Sequence, residues 1–242
     1  MNLIIDVGNT FVKLAVFNNG ALLFDETAAV ENLLERAKGI FNKFPQIDWA
    51  IVSSVVLLDK SSMNALTGLC NVHMLSHQSK TPFKNLYGSP KTLGVDRIAL
   101  AAAGNWHNPN ENTLVIDAGT CLTYDMITSE GHYLGGAISP GLKMRYNALN
   151  EQTSKLPLLA VEYPIDLIGN STEASIHSGV VNGICSEIDG IIEQYSSRFE
   201  DLTVILTGGD AHFLSKRLKN TIFAHSKFLL IGLNYLLDYN KR

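Results

Sequence analysis

A chain of 242 residues with 46% hydrophobic and 17% charged side chains can bury one large core or two small ones. Nineteen Lys and Arg against 23 Asp and Glu give a formal charge of −4 with no basic run, which excludes a dedicated nucleic-acid binder. Cys70, Cys121 and Cys185 are far apart and form no C-x-x-C, which excludes a disulfide framework or zinc knuckle. No apolar run reaches transmembrane length, and strand residues follow Met1 without a basic leader. The expectation is a cytoplasmic protein with no membrane partner.

In chain order, Leu3–Asp6, Phe11–Phe17 and Ala21–Thr27 read as three strands, the last two joined by an Asn18-Asn19-Gly20 turn. Residues 31 to 44 space Leu33, Leu34, Ala37, Ile40, Phe41 and Phe44 as a helix that ends before Pro45. A strand over 49–56, a helix to Leu69 and a short strand over 72–75 complete a βββαβαβ order. An alanine-rich helix, IALAAAG, follows Gly94. The second half repeats the pattern: strands over 113–116, 122–127 and 132–138, then helix, strand, helix. A long helix runs from Thr172 to Phe199, a strand over 204–206 ends at Thr207-Gly208-Gly209, and an apolar helix over 228–237 closes the chain. The expected architecture is α/β, with domains at 1–112 and 113–242 and both acidic turns at the mouth between them.

Two stretches carry the chemistry. In LIIDVGNTFVKLAV an apolar strand ends in Asp6 and a glycine turn. Backbone N–H groups of Gly8, Asn9 and Thr10 can cradle an anion while the Asp6 carboxylate holds a hard cation, a combination suited to metal-bound phosphate. Asp-x-Gly also caps ordinary hairpins, but LVIDAGTCLTYDM repeats the stretch about half a chain later with one fewer turn residue, and Asp117 answers Asp6. In YGSPKTLGVDR, Asp96 and Arg97 project from the first turn of a helix that Gly94 opens. An ordinary dipole-complementing Asp beside a solvated Arg would read the same way.

These segments occur in the order found in type III pantothenate kinases: DVGNTFVK from Asp6 to Lys13, GVDR from Gly94 to Arg97, DAGT from Asp117 to Thr120, GGAISPG from Gly135 to Gly141 and STEASI from Ser171 to Ile176. The chain thus resembles that family over nearly its whole length. The family belongs to the superfamily of actin, Hsp70 and sugar kinases, whose two tandem ribonuclease-H-like (βββαβαβα) domains flank a cleft.

The resemblance implies ATP-dependent phosphorylation of pantothenate, the first step of coenzyme A biosynthesis. It implies an ATP site at Asp6, Val7, Gly8, Asn9, Thr10, Phe11, Val12, Lys13 and Thr120, with Asp6 toward Mg²⁺ through the phosphates. It also implies Asp117 as ligand of a monovalent cation, K⁺ or NH₄⁺, and Asp96 as the catalytic base. Pantothenate would be held by Tyr87, Gly94, Val95, Asp96, Arg97 and Thr172, in a homodimer where Thr172 of one chain completes the pocket of the other. Thr207 to Asp210 resembles the superfamily's adenosine motif. Cys121 stands where the family more often has a small residue. Two other readings stay open: a transcriptional accessory factor of the same family, and a kinase of another small hydroxy or carboxylate substrate.

Overall fold

The first strand, β1 (Asn2–Val7), pairs antiparallel with β2 (Phe11–Asn18) on one side and parallel with β4 (Trp49–Ser54) on the other. A computed structural model of the chain describes residues 1–8, 11–54 and 60–241. With β3 (Ala21–Ala29) and β5 (Asn71–Met74) the sheet runs β3-β2-β1-β4-β5. The centre of such a sheet is covered on both faces, which is why Leu3, Ile4 and Ile5 form an uninterrupted apolar run with no exposure. Each such side chain contributes roughly 1.5–3 kcal/mol by leaving water.

Strand alternation divides the work of β1. Leu3, Ile5 and Val7 join Val12, Leu14 and Val16 against Leu33, Ala37 and Ile40 of α1 (Leu33–Lys43), and Leu66 of α2 (Lys60–Thr67) closes that cluster. The alternate residues face α3 (Val95–His107) and α8 (Phe228–Asn240), which pack against each other, and the Asn2 amide donates to Asn234 and Asp238 of α8 at 2.7 and 2.9 Å. Asp6 belongs to this second set.

The chain forms two compact units, Met1–Pro109 with Gly131–Tyr133 and Lys227–Arg242, and Asn110–Glu130 with Leu134–Ser226. The break at 109/110 lies close to the sequence boundary at 112. The apolar helix α8, which a division at 112 assigns to the second half, instead belongs with α3 in the first. The first unit also holds β6 (Lys84–Asn85), paired with His132 and Tyr133.

In the second unit β7 (Thr113–Ala118) is central in its turn, antiparallel to β8 (Cys121–Ile127) and parallel to β10 (Thr203–Thr207). The order is β11-β10-β7-β8-β9, with β9 His132–Pro140 and β11 Phe223–Ala224. Leu114, Ile116 and Ala118 pack with Leu142 and Tyr146 of α4 (Leu142–Glu151), Ile176 of α5 (Thr172–His177), and Ile184, Ile188 and Ile192 of α6 (Gly183–Ser196). The helix expected from Thr172 to Phe199 is therefore α5 and α6 joined through a π-helical turn, Ser178–Asn182, and it ends at Ser196. In that turn the Ser178 hydroxyl donates to the Leu167 carbonyl and accepts from the Asn182 amide. The strand expected over 49–56 is described to Ser54, and Val55 and Val56 lie outside the described residues.

Candidate active site

Asp6 ends β1 in register with Lys13 of β2 and Ser53 of β4, so a cation and a hydroxyl flank the carboxylate across the sheet. Burial raises its pKa above the ordinary 3.8; Lys13 and Ser53 pull it down, and Asp96 pushes it up again. Asp6 and Asp96 are therefore neighbours: the face of β1 that carries Asp6 meets the N-terminus of α3. The turn after Asp6 closes with the Gly8 N–H donating to the Phe11 carbonyl at 2.9 Å. Asn9 and Thr10, expected to bind phosphate, lie outside the described residues. Of the neighbouring expected contacts, Phe11 is exposed, whereas Val7 and Val12 are buried, so those two can reach a nucleotide only through the backbone.

Asp96 holds a defined position. Its Oδ1 accepts the backbone N–H of Arg97 at 2.8 Å, using one of the free donors of the first helical turn. Gly94 makes room, because a Cβ there would stand 2.4 Å from that oxygen. Arg97 itself is buried, 5% exposed, with its guanidinium 5.6 Å from the centre of the Tyr87 ring. A buried guanidinium beside an aromatic face is restricted in its motion, and its planar fork suits a carboxylate. Tyr87 in turn contacts Tyr133, ring centres 6.2 Å apart, and its N–H donates to Asn85. The reading of Arg97 as a solvated surface residue does not hold.

The second unit repeats the strand-end carboxylate. Asp117 lies in register with Thr207 of β10 and Thr123 of β8. Its turn is one residue shorter, closing Gly119 N–H to the Cys121 carbonyl at 3.0 Å. The next backbone contact holds Thr120, whose carbonyl accepts from Gly141 at 3.2 Å. Gly208 has φ +97°, and a Cβ there would come within 2.3 Å of Asp117 Oδ1 and 2.4 Å of the Ala118 carbonyl. The Ala118 carbonyl also accepts the Asp210 N–H at 2.9 Å, and burial raises the Asp210 carboxyl while Lys143 lowers it. Sequence reading missed Lys143, in the first turn of α4, and Ser53, which the β1–β4 register sets beside Asp6.

Thr172 is placed elsewhere in this unit. Ser171 caps α5 by accepting the Ala174 N–H at 3.1 Å, and Thr172 follows it on the wall of a groove of about 1130 Å³ that also presents Arg145, Leu149, Leu156, Ile176 and Val180. Neither Asp117 nor Thr120 lines that groove.

Among the described residues no three His, Cys, Asp or Glu side chains converge as a metal cage. Mg²⁺ delivered on nucleotide phosphates needs only one or two protein carboxylates, a requirement that the strand-end carboxylate of Asp6 fits. At Asp117, the cradle over Gly208 brings a carboxylate and a carbonyl oxygen together, a donor set that fits a weakly hydrated monovalent cation.

Each sheet is headed by a strand-end acid followed by a tight turn, and solved structures share the fold. A Campylobacter jejuni chain assigned to the Baf family of transcriptional activators matches with TM-score 0.64 at 20% identity, covering 99% of this chain and 98% of that one. A ROK-family glucokinase from Streptomyces griseus, in complex with glucose and AMPPNP, matches with TM-score 0.52 at 11% identity, covering 99% of each chain. The profile of the type III pantothenate kinase family matches residues 2–194, and the chain belongs to that family. The type III pantothenate kinase of Christiangramia forsetii is 51% identical over 241 residues, covering 100% of this chain and 99% of its own. That of Flavobacterium johnsoniae is 49% identical over 239 residues, covering 99% and 98%.

The raised Asp6 pKa has a consequence for stability. A carboxyl whose folded pKa exceeds its unfolded value favours the fold most below the unfolded value and loses that contribution as pH rises through the folded one. Asp6→Asn is therefore expected to raise the melting temperature at neutral pH, with the gain shrinking as pH falls toward 3.8. Calorimetric melts across that range check it, and an equal or lower melting temperature at neutral pH would contradict it.

Proposed function

We propose that Asp96 is the base through which this chain performs its family's reaction, transfer of the γ-phosphoryl group of ATP to the primary hydroxyl of pantothenate in coenzyme A biosynthesis. The observation that carries this reading is the arrangement at the head of α3: Asp96 held by its own helix beside Asp6, with Arg97 buried next to it against Tyr87. Phosphoryl transfer asks for positioning and charge control more than covalent chemistry. Asp6 to Lys13 and Thr120 take the nucleotide phosphates. Mg²⁺, when bound with ATP, neutralises charge that develops on them. Arg97 pairs with the pantothenate carboxylate, Tyr87 holds the guanidinium plane, and Gly94 and Val95 give the substrate access to the start of the helix. Asp96 orients the hydroxyl and takes its proton late, when the forming ester has made it acidic.

Asp96→Asn keeps an Oδ1 that can accept the Arg97 N–H, so the helix start survives while the proton acceptor is lost. The variant is expected to lose at least about a hundredfold in kcat and to bind ATP as before. Near-normal pantothenate-dependent ADP release would remove Asp96 from the mechanism.

We assign Asp117, with the carbonyl beside Gly208, to a monovalent cation next to the nucleotide. Replacing K⁺ by Na⁺ at constant ionic strength should weaken ATP binding and turnover, whereas unchanged values would exclude the cation.

The active form in this reading is a homodimer in the cytoplasm, where ATP and pantothenate are available. Its support is the apolar groove beside Thr172 and the nearby exposure of Ile165 (106%), Ile168 (80%) and Leu167 (73%), an apolar surface that a second copy would cover. Light scattering paired with activity across a dilution series should show both falling together. A fully active monomer would eliminate the shared pocket.

A further inference from the structure

Ser53 is the last but one residue of β4, fully buried, and its hydroxyl has no hydrogen-bond partner among the described residues. Buried hydroxyls are nearly always paired, so an orphan of this kind needs a reason. Its surroundings offer one. Ser53 is the register partner of Asp6 in the parallel β1–β4 pair, so the two side chains leave the same face of the sheet on neighbouring strands. The hydroxyl lies near enough to act on the Asp6 carboxyl yet makes no bond of normal geometry to it. On the other flank Lys13 stands in register with Asp6, and Asp96 faces it from α3. The carboxylate is thus bordered by one cation, one carboxylate and one unused donor.

We propose that Ser53 is a positioning residue for Asp6: with Mg²⁺ and ATP bound, its hydroxyl donates to one Asp6 oxygen and leaves the other turned toward the metal's ligand shell. The inference rests on the reading of Asp6 as the carboxylate on the Mg²⁺ side. It explains why a donor is retained in a strand whose neighbours Ala50, Ile51 and Val52 are fully buried and apolar. In the ligand-free protein the hydroxyl has no partner among the described residues, and binding supplies the geometry that satisfies it. With ligand bound, Asp6 is then held from one side by Ser53 and flanked on the other by Lys13, both in register with it.

The test is a double-mutant cycle on the full chain, with ATP affinity measured by calorimetry in the presence of Mg²⁺ and again in EDTA. Ser53→Ala removes an unpaired hydroxyl and no packing volume of note, so it should melt no lower than the parent. It should lose about tenfold of the Mg²⁺-dependent affinity, the scale of one hydrogen bond to a charged group, and keep the affinity measured in EDTA. In an Asp6→Asn background Ser53→Ala should have no further effect. The inference alone fails if Asp6→Asn loses the Mg²⁺-dependent affinity while Ser53→Ala keeps it, or if Ser53→Ala costs the same in both backgrounds. If Asp6→Asn itself binds Mg²⁺ and ATP like the parent, the reading of Asp6 fails and the inference falls with it. A Ser53→Ala protein that melts well below the parent and loses affinity equally with and without Mg²⁺ would make Ser53 a structural residue and overturn the proposal.

Discussion

The site depends on a carboxylate placed at the end of a strand that is otherwise apolar and buried. Leu3, Ile4 and Ile5 hold β1 at the centre of its sheet, and strand alternation leaves Asp6 on the face that α3 covers. Burial raises the energy of its charged form, and the sheet answers with Lys13 and Ser53 in register on either side. The balance is incomplete, and so the carboxyl stays above its ordinary pKa. An acid in that condition gains from a cation, and a nucleotide-bound metal is one.

Other features of the first unit follow from that placement. Gly94 caps the helix that meets Asp6, and a side chain there would displace the Asp96 carboxylate. Asp96 gives one oxygen to its own helix start, which fixes the direction of the acid. Arg97, one residue on, is buried with its guanidinium over the Tyr87 ring, which in turn contacts Tyr133. In the second unit the same grammar recurs with different neighbours: Asp117 has threonines rather than a lysine and a serine in register, and a glycine at positive φ against its oxygen.

Much of this was legible because it is local. The two acidic turns, their difference of one residue and the strands around them are carried by short contiguous patterns, and the Gly8–Phe11 and Gly119–Cys121 hydrogen bonds close turns of the expected lengths. Gly94-Val95-Asp96-Arg97 likewise shows a helix start and two charged groups. What stayed hidden depends on register or on distant contacts. Ser53 is one of two adjacent serines, and only the β1–β4 register selects it as the partner of Asp6. The attachment of α8 to the first unit rests on packing against α3, more than a hundred residues away in the chain. The π-helical turn is invisible to an apolar periodicity that continues through it, since Ile176, Val180 and Ile184 remain buried on either side. Burial of Arg97 is a tertiary fact that no charge pattern announces.

Titration of the Asp6 carboxyl, followed by its ¹³C shift in the ligand-free protein, addresses the central claim without a kinetic assay. The account predicts a midpoint above 3.8, because burial and the Asp96 charge outweigh Lys13 and Ser53. A midpoint at or below 3.8 would mean that the flanking cation and hydroxyl dominate, and would contradict the account.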